Sequence, residues 1–402
     1  MSTGAVRGSG APTAIRAIRA LVMLAVAHYT ATIGFRVTVA LAAVAAGLSP
    51  ASIGLVLSTF ALVPMLLAVH GGRLVDRIGV RAPMLGGTAM ATAGAALCVT
   101  LPHPAALALA TGLVGLGGMA FHLGMQHCAG EIGGPARRTA NFNLLTLSFS
   151  ASGLIGPPLA GLLIDHAGHR AAFAGAAALL GTVFLALGRF DFEPHLPAAA
   201  RRETTDEPAD GRAPAAAAFA LLGAPRLRRL LIASLLASAA WDVYQFLLPL
   251  HAGTIGLSAT SVGFAIAAFS AGSLSVRLAL PSLVSRMHPA RWMQVALAVC
   301  VLAYAAAPWA DGLGLLLALS FLIGIGPGIA QPLLLAALHH ASPPGRAGEA
   351  AGLRMTLLSA MQLALPVALG LLVGAFGTAP LFWLYAATAA AIGLALVRAE
   401  RR

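Results

Sequence analysis

The chain of 402 residues contains no lysine, and only 9% of it is charged. A soluble domain carries roughly 25% charged residues. A water-facing globular enzyme is therefore excluded, as is a disordered chain, which has little apolar residue content. Cysteine is also scarce. Cys98, Cys128 and Cys300 stand in or at the ends of apolar runs. They lack metal-ligand or framework spacing, which excludes a disulfide-stapled secreted domain and reads as buried, inert thiols. There is no nucleophile elbow, no metal-spaced His/Glu pair on one helix and no Gly-rich nucleotide loop. His339 and His340 are adjacent, so their side chains diverge on a helix. Neither a membrane enzyme nor an ATP-driven pump is expected, and no cofactor or metal. The first 18 residues carry Arg7 and Arg16 but no small-residue cleavage site. The first apolar run is read as a retained span rather than a signal peptide.

What is present is apolar: 59% of the residues are hydrophobic, with a mean hydropathy of +0.87. A membrane-crossing helix needs about 20 apolar residues, and 402 residues hold about a dozen such spans. Twelve segments can be marked: 19–46, 52–70, 82–101, 105–128, 139–164, 170–188, 228–250, 260–281, 291–308, 312–338, 350–373 and 379–397. They read as helices, because a single span must satisfy its own backbone hydrogen bonds. Barrel strands would alternate in hydrophobicity instead. The fold class expected is all-α integral membrane, with twelve transmembrane helices in two pseudo-symmetric six-helix bundles.

All 25 basic residues are arginine, and the net charge is +12. A nucleic-acid partner is not expected, because these arginines sit in short connections rather than on one patch. Arg36, Arg277 and Arg354 fall within spans and Arg170 on one face; the other 21 lie on the face that carries the termini. The positive-inside rule then places both termini in the cytoplasm. The abundance of Ala and Arg suggests a high-GC bacterial genome, hence an inner membrane.

Residues 189–227 form the one long polar stretch. It reads as a flexible linker between a bundle over 19–188 and a bundle over 228–397, with tails at 1–18 and 398–402. The halves are an internal repeat at an offset of 209. Gly-Leu-Ser at 47–49 falls on Gly-Leu-Ser at 256–258. Gly54 falls on Gly263, Phe60 on Phe269, Gly115 on Gly324, Arg137 on Arg346, Pro157 on Pro366, Gly161 on Gly370 and Phe173 on Phe382. A constant offset that also matches Arg and Pro is hard to obtain by chance. An even number of spans per half makes the repeat parallel.

Between spans 2 and 3 the chain reads Gly72-Arg-Leu-Val-Asp76-Arg77-Ile-Gly79-Val-Arg81. Physically this is a tight turn between two helix ends: Gly72 and Gly79 permit unusual dihedrals, and Asp76 can cap a helix or pair with an arginine. The second copy, around Ser285-Arg286, has no Asp. Here the chain resembles the major facilitator superfamily, whose signature loop after the second of twelve helices is Gly-x-Leu-x-Asp-Arg-x-Gly-x-(Arg/Lys). The resemblance covers the whole chain. It implies two bundles that rock about a central cavity lined by helices 1, 4, 7 and 10, and a bracing role for Asp76 against the start of helix 11, near Arg346 to Glu349. Span 5 carries Gly156-Pro157-Pro158-Leu-Ala160-Gly161, similar to the helix 5 motif of proton-coupled antiporters. That tilts the reading towards export; a Pro kink with small residues for close packing is the equal alternative. Thr111 stands where the family's helix 4 antiporter motif has Arg, which counts against the standard drug:proton form.

An ionisable group inside a span is a candidate functional group. Arg36 keeps its charge and can hold an anion in a bidentate fork; it can equally serve a structural ion pair. Its repeat partner is Gln245, and that of His122 is Gln331. Asp242, flanked by Trp241 and Tyr244, is the acid placed well within a span. It is either a titrating carboxyl or a permanent partner of Arg36 or Arg354. His122 and His127 are rival proton sites, with Gln126 one turn beyond His122. Arg277 is expected to snorkel towards the interface, Glu131 to pair with Arg137 or Arg138, and the row from Asn141 to Ser152 to bond between helices.

The site expected for substrate is therefore Arg36, His122, Gln126, Trp241, Tyr244, Gln245, Gln331 and Arg354, with Asp242 or His122 carrying the proton. The function expected is secondary active transport of a small organic solute, anionic in its strongest form, with export slightly favoured. Efflux of lipophilic or cationic drugs, with Asp242 holding the cation, is the alternative, as is import of an organic acid. A transceptor that senses without transport is a further class. The partners expected are the solute, protons and the bilayer, with the chain as a monomer.

Overall fold

A computed structural model describes residues 10–62, 65, 79–101, 103–190, 192, 221–284, 289–342 and 347–400. Among the described residues the chain is helical throughout. The helices are α1 (Gly10–Ala45), α2 (Pro50–Leu62), α3 (Arg81–Thr100), α4 (Pro104–Glu131), α5 (135–167), α6 (169–189), α7 (Pro225–Thr254), α8 (Ala259–Val284), α9 (Pro289–Ala306), α10 (Leu313–Ala341), α11 (Ala347–Phe376) and α12 (Ala379–Glu400). Helices α5 and α6 run on through Pro135–Arg189 except at Gly168, whose φ of 81° breaks the helix. A short 3-10 turn, Leu221–Gly223, precedes α7. Most of the expected linker lies outside the described residues.

Local chemistry sets the turns, and it does so twice. After α1, Gly47 takes φ 69° and the Leu48 amide donates back to the Ala43 carbonyl at 3.1 Å. Positive φ costs glycine little, which makes it the usual helix terminator. Ser49 Oγ then accepts from the Ser52 amide at 3.2 Å, capping α2. After α7, Gly256 takes the same φ of 69°, and Ser258 Oγ accepts from the Ser261 amide at 3.2 Å, capping α8. Gly168 and Gly377, also repeat partners, break α5 from α6 and α11 from α12 at φ 81° and 80°.

The same repeat governs how the halves meet. A Cβ on Gly54 of α2 would stand 2.2 Å from the Pro366 carbonyl oxygen of α11, and a Cβ on Gly263 of α8 would stand 2.4 Å from that of Pro157 on α5. Gly370 meets the Pro50 oxygen, and Gly161 the Ala259 oxygen, at 2.3 and 2.4 Å on the same measure. These two reciprocal crossings lie at the end of the bundle away from the termini, called here the far side. One apolar core there draws on both halves, from Phe35, Val39 and Ala110 to Tyr244, Leu247 and Ile266. On the termini side the cores separate. One is built from Leu21, Met84, Phe121 and Leu187, and another from Leu231, Leu338 and Leu353. The molecule is joined at the far side and splayed at the termini side.

Candidate functional site

Among the described residues one ion pair joins the two halves. Arg36 Nη2 of α1 stands 4.0 Å from Asp242 Oδ1 of α7. The Asp242 side chain is 7% exposed and that of Arg36 is 23% exposed. The guanidinium carbon of Arg36 also lies 4.6 Å from the centre of the Phe60 ring, where the ring face attracts a cation. Gln362 of α11 faces the Asp242 carboxylate. The Asp242 charge thus meets a cation from the other half and a neutral amide from its own. Arg36 is nine residues from the end of α1, which is about 13 Å from the far side. Of the two readings open for Arg36 and Asp242, the ion pair is the arrangement present. It joins the first half to the second.

A second polar group lies about 10 Å nearer the termini, because Tyr29 is two turns before Arg36 on α1. The Tyr29 hydroxyl meets His122 Nδ1, and Gln126 Nε2 lies 2.9 Å from His122 Nε2. With the Gln126 amide donating to Nε2, Nδ1–H donates to the Tyr29 oxygen. Phe149 of α5 packs edge-on against Tyr29, with ring centres 5.5 Å apart. At a similar depth in the second half, Arg277 Nη2 of α8 donates to Gln331 Oε1 of α10 at 2.9 Å. Nearer the termini, Arg354 Nε of α11 donates to Ser234 Oγ of α7 at 2.5 Å.

The remaining expected residues divide. Trp241 is half-buried beside Asp242, with its ring centre 4.8 Å from that of Phe269. Gln245 is buried on α7. Tyr244 does not join the group: it is 1% exposed, its hydroxyl bonds to Ser320, and its ring stacks on Phe269 at 5.4 Å. It belongs to the far-side core that both halves build. Arg277 does not snorkel to the interface; it points between the helices. Gly156 and Pro157 form a packing knot, with a Cβ on Gly156 standing 2.5 Å from the Thr30 oxygen of α1. With the Gly161 contact described above, this is the close-packing geometry that small residues allow. In the signature loop, Gly72, Asp76 and Arg77 lie outside the described residues. Gly79 takes φ 79°, and Arg81 donates to the Gly188 oxygen at the end of α6 at 3.0 Å.

Four residues were not among the expected site. Tyr29 was findable from its seven-residue spacing to Arg36, which puts both on one face of α1. Gln362 and Arg277 carried the general signal of a polar residue in an apolar run. Phe60 had its repeat match to Phe269, but nothing in the sequence placed it under Arg36.

Two halves of apolar helices, joined at one end around a buried charge pair and open at the other, define a polytopic membrane transport protein. The family model described as Major Facilitator Superfamily matches residues 21–366, and the chain belongs to that family. It is 32% identical over 125 residues to the multidrug resistance protein MdtH of Yersinia pestis (strain Pestoides F), a match that takes in 31% of this chain and 31% of that protein. The same protein of Yersinia pseudotuberculosis serotype O:3 (strain YPIII) matches equally. Among solved structures, nucleoside transporter NupG is similar with a TM-score of 0.76 at 15% identity, covering 96% of this chain and 99% of that one. A POT family transporter in complex with a thioalcohol-conjugated peptide is similar with a TM-score of 0.75 at 14% identity, covering 96% of each.

Proposed function

We propose that the chain is a proton-coupled secondary transporter of a small organic solute, working by alternating access in a bacterial inner membrane with both termini in the cytoplasm. The observation that carries this reading is the Arg36–Asp242 pair between the halves. A proton arriving at the Asp242 carboxylate neutralises it and removes the attraction holding α1 to α7. Arg36 is left with the Phe60 ring and the cleft. The halves then part at the far side and close on the termini side, with Asp76 bracing one of the two states. Loss of the proton restores the pair. Arg36 cannot itself be the proton carrier, because it stays charged. His122, tied to Tyr29 and Gln126, is the rival proton site. The arginine excess on the termini face supports the orientation, and the arginine and alanine content supports a bacterial host.

Export is favoured by the likeness of the Gly156–Gly161 run to antiporter helices. The second reading, multidrug efflux, is favoured by the partial match to MdtH. Asp242 would be its cation anchor; in this state, however, that carboxylate is already paired with Arg36. The test is solute-dependent proton movement in proteoliposomes with a pH-sensitive dye inside. Solutes from an organic-anion, neutral-metabolite and lipophilic-cation panel that move protons identify the class. Transport of a solute with no proton movement at any imposed gradient would overturn proton coupling, and no flux of any solute would favour a sensor.

A further inference from the structure

Among the described residues Arg277 and Arg354 both lack a charge partner, and Arg277 is the one that also keeps a buried donor unbonded. It lies eighteen residues from the start of α8, about 27 Å from the far side. Its Nη2 bonds to the neutral Gln331 oxygen at 2.9 Å, and its Nη1 lies 3.4 Å from Ser150 Oγ of α5. Ser150 belongs to the first half and Gln331 to the second, so the guanidinium bridges the halves along the seam where α5 packs on α8, in which a Cβ on Gly153 would stand 2.5 Å from Ser270 Oγ. The Ser150 hydroxyl hydrogen is already donated to the Thr146 oxygen at 3.2 Å, which leaves its lone pairs for Arg277. The Nε–H is buried without a partner. Among the described residues the ion pairs are Arg36–Asp242 and Arg138–Glu131, and neither involves Arg277. A guanidinium withdrawn from water and offered neutral oxygens is under-compensated, because burying charge is favourable only with an opposite charge and full hydrogen bonding.

We propose that Arg277 binds the carboxylate or phosphate group of the transported solute. The anion takes the place of the Gln331 oxygen in the guanidinium fork, whose planar donors match an oxyanion two at a time. The Gln331 amide turns and offers its NH2 to the same group. The body of the solute lies towards Phe149 and Tyr29, which α5 links to the site: Phe149 packs on Tyr29 and the next residue, Ser150, meets Arg277. Solute and proton then occupy different layers, with Arg277 about 14 Å nearer the termini than the Arg36–Asp242 pair. The substrate class is a small organic anion with an apolar or aromatic body. This rests on reading the cleft as a solute pathway.

The test uses the full chain, delipidated in a neutral detergent, and its thermal unfolding with benzoate, phenyl phosphate and the uncharged methyl benzoate. A second arm compares nanodiscs of phosphatidylglycerol with phosphatidylcholine, because a lipid phosphate offers the same chemistry from the membrane side. One or both free anions are expected to raise the Tm in a saturable way while methyl benzoate does not. R277Q is expected to weaken that binding at least tenfold, with an unchanged elution profile. R277K, which keeps the charge but not the fork, is expected to fall between, and it serves as the test if R277Q is not recovered folded. An unchanged anion response in R277Q, no response to either anion in the wild type, or stabilisation by phosphatidylglycerol alone each overturn the proposal. R277Q vesicles that still couple protons to an organic anion with unchanged affinity remove this site and leave the transport reading standing. Vesicles in which no solute moves remove the transport reading itself.

Discussion

The carboxylate of Asp165, at the end of α5, accepts hydrogen bonds from the backbone amides of Ala259 and Thr260 at 3.1 and 2.8 Å. These amides are the first of α8, so a side chain of one half caps a helix of the other. A helix start carries free N–H groups and a partial positive charge, which makes this a favourable contact for an anion. The repeat does not reproduce it. The partner of Asp165 at the 209 offset is Gly374, so the α2–α11 crossing closes by packing, without a carboxylate cap.

Asp165→Ala is therefore expected to loosen the far side. Spin labels at Leu101→Cys and Leu313→Cys, both exposed far-side positions, in a chain without its native cysteines, should show a broader and longer distance distribution. An unchanged distribution would mean that the glycine crossings alone hold that end.

Asp165 lies beyond the apolar span of α5. Burial works against its charge, but hydrogen bonds from Thr260, Ala259 and Ser258 outweigh it and hold the carboxyl below its ordinary value. A depressed pKa stabilises above the ordinary carboxylate value, roughly 3.9. That stabilisation is lost only as pH falls through the depressed one. The Asp165 contact should thus be constant between about pH 5 and pH 8. Any change in the far-side distance over that window should persist in Asp165→Ala; its disappearance there would show that Asp165 senses pH.

Gly263→Leu should block the far side from closing. Its Cβ has the Pro157 oxygen at 2.4 Å and Pro158 Cα at 2.9 Å, both backbone, so nothing flexible can give way. Transport should fall by an order of magnitude or more, and far-side cysteine labelling should rise. Gly54→Leu, its repeat partner against Pro366, should do the same. Gly86→Ala, where a Cβ meets nothing within 4 Å, should be close to wild type.

Removing one member of the charge pair should destabilise more than removing both. A buried charge left without its partner costs up to about 3–5 kcal/mol, whereas apolar replacement of both is often neutral. At 4.0 Å, and with Arg36 partly exposed, the lower end is expected. Thermal unfolding of Arg36→Met, Asp242→Leu and the double variant measures this. Additive losses in the double variant would show that the two side chains are not coupled in stability.

The helices, their order and the two-fold repeat were legible because apolar runs and a constant offset are one-dimensional signals. The offset even held the reciprocal crossings, since Gly54 with Pro366 and Gly263 with Pro157 are the same contact written twice. What the sequence hid was rotation about each helix axis. A helix that is apolar on all sides carries no stripe to say which face is buried. Tyr244 was expected in the cleft beside Asp242, yet two positions along the helix turn it about 200° away, into the core on Phe269. Arg277 looked like an interfacial arginine from its distance to the helix end. Its direction, towards Ser150 and Gln331, depends on which helices α8 packs against.

The most direct measurement compares wild type and Asp242→Asn in proteoliposomes, with one transported solute, under an imposed pH gradient and in gradient-free exchange. The account predicts that Asp242→Asn loses accumulation driven by the gradient while solute exchange continues, because the proton site is gone and the pathway remains. Full gradient-driven accumulation in Asp242→Asn would contradict it and move the proton to another group, with His122 the first to examine.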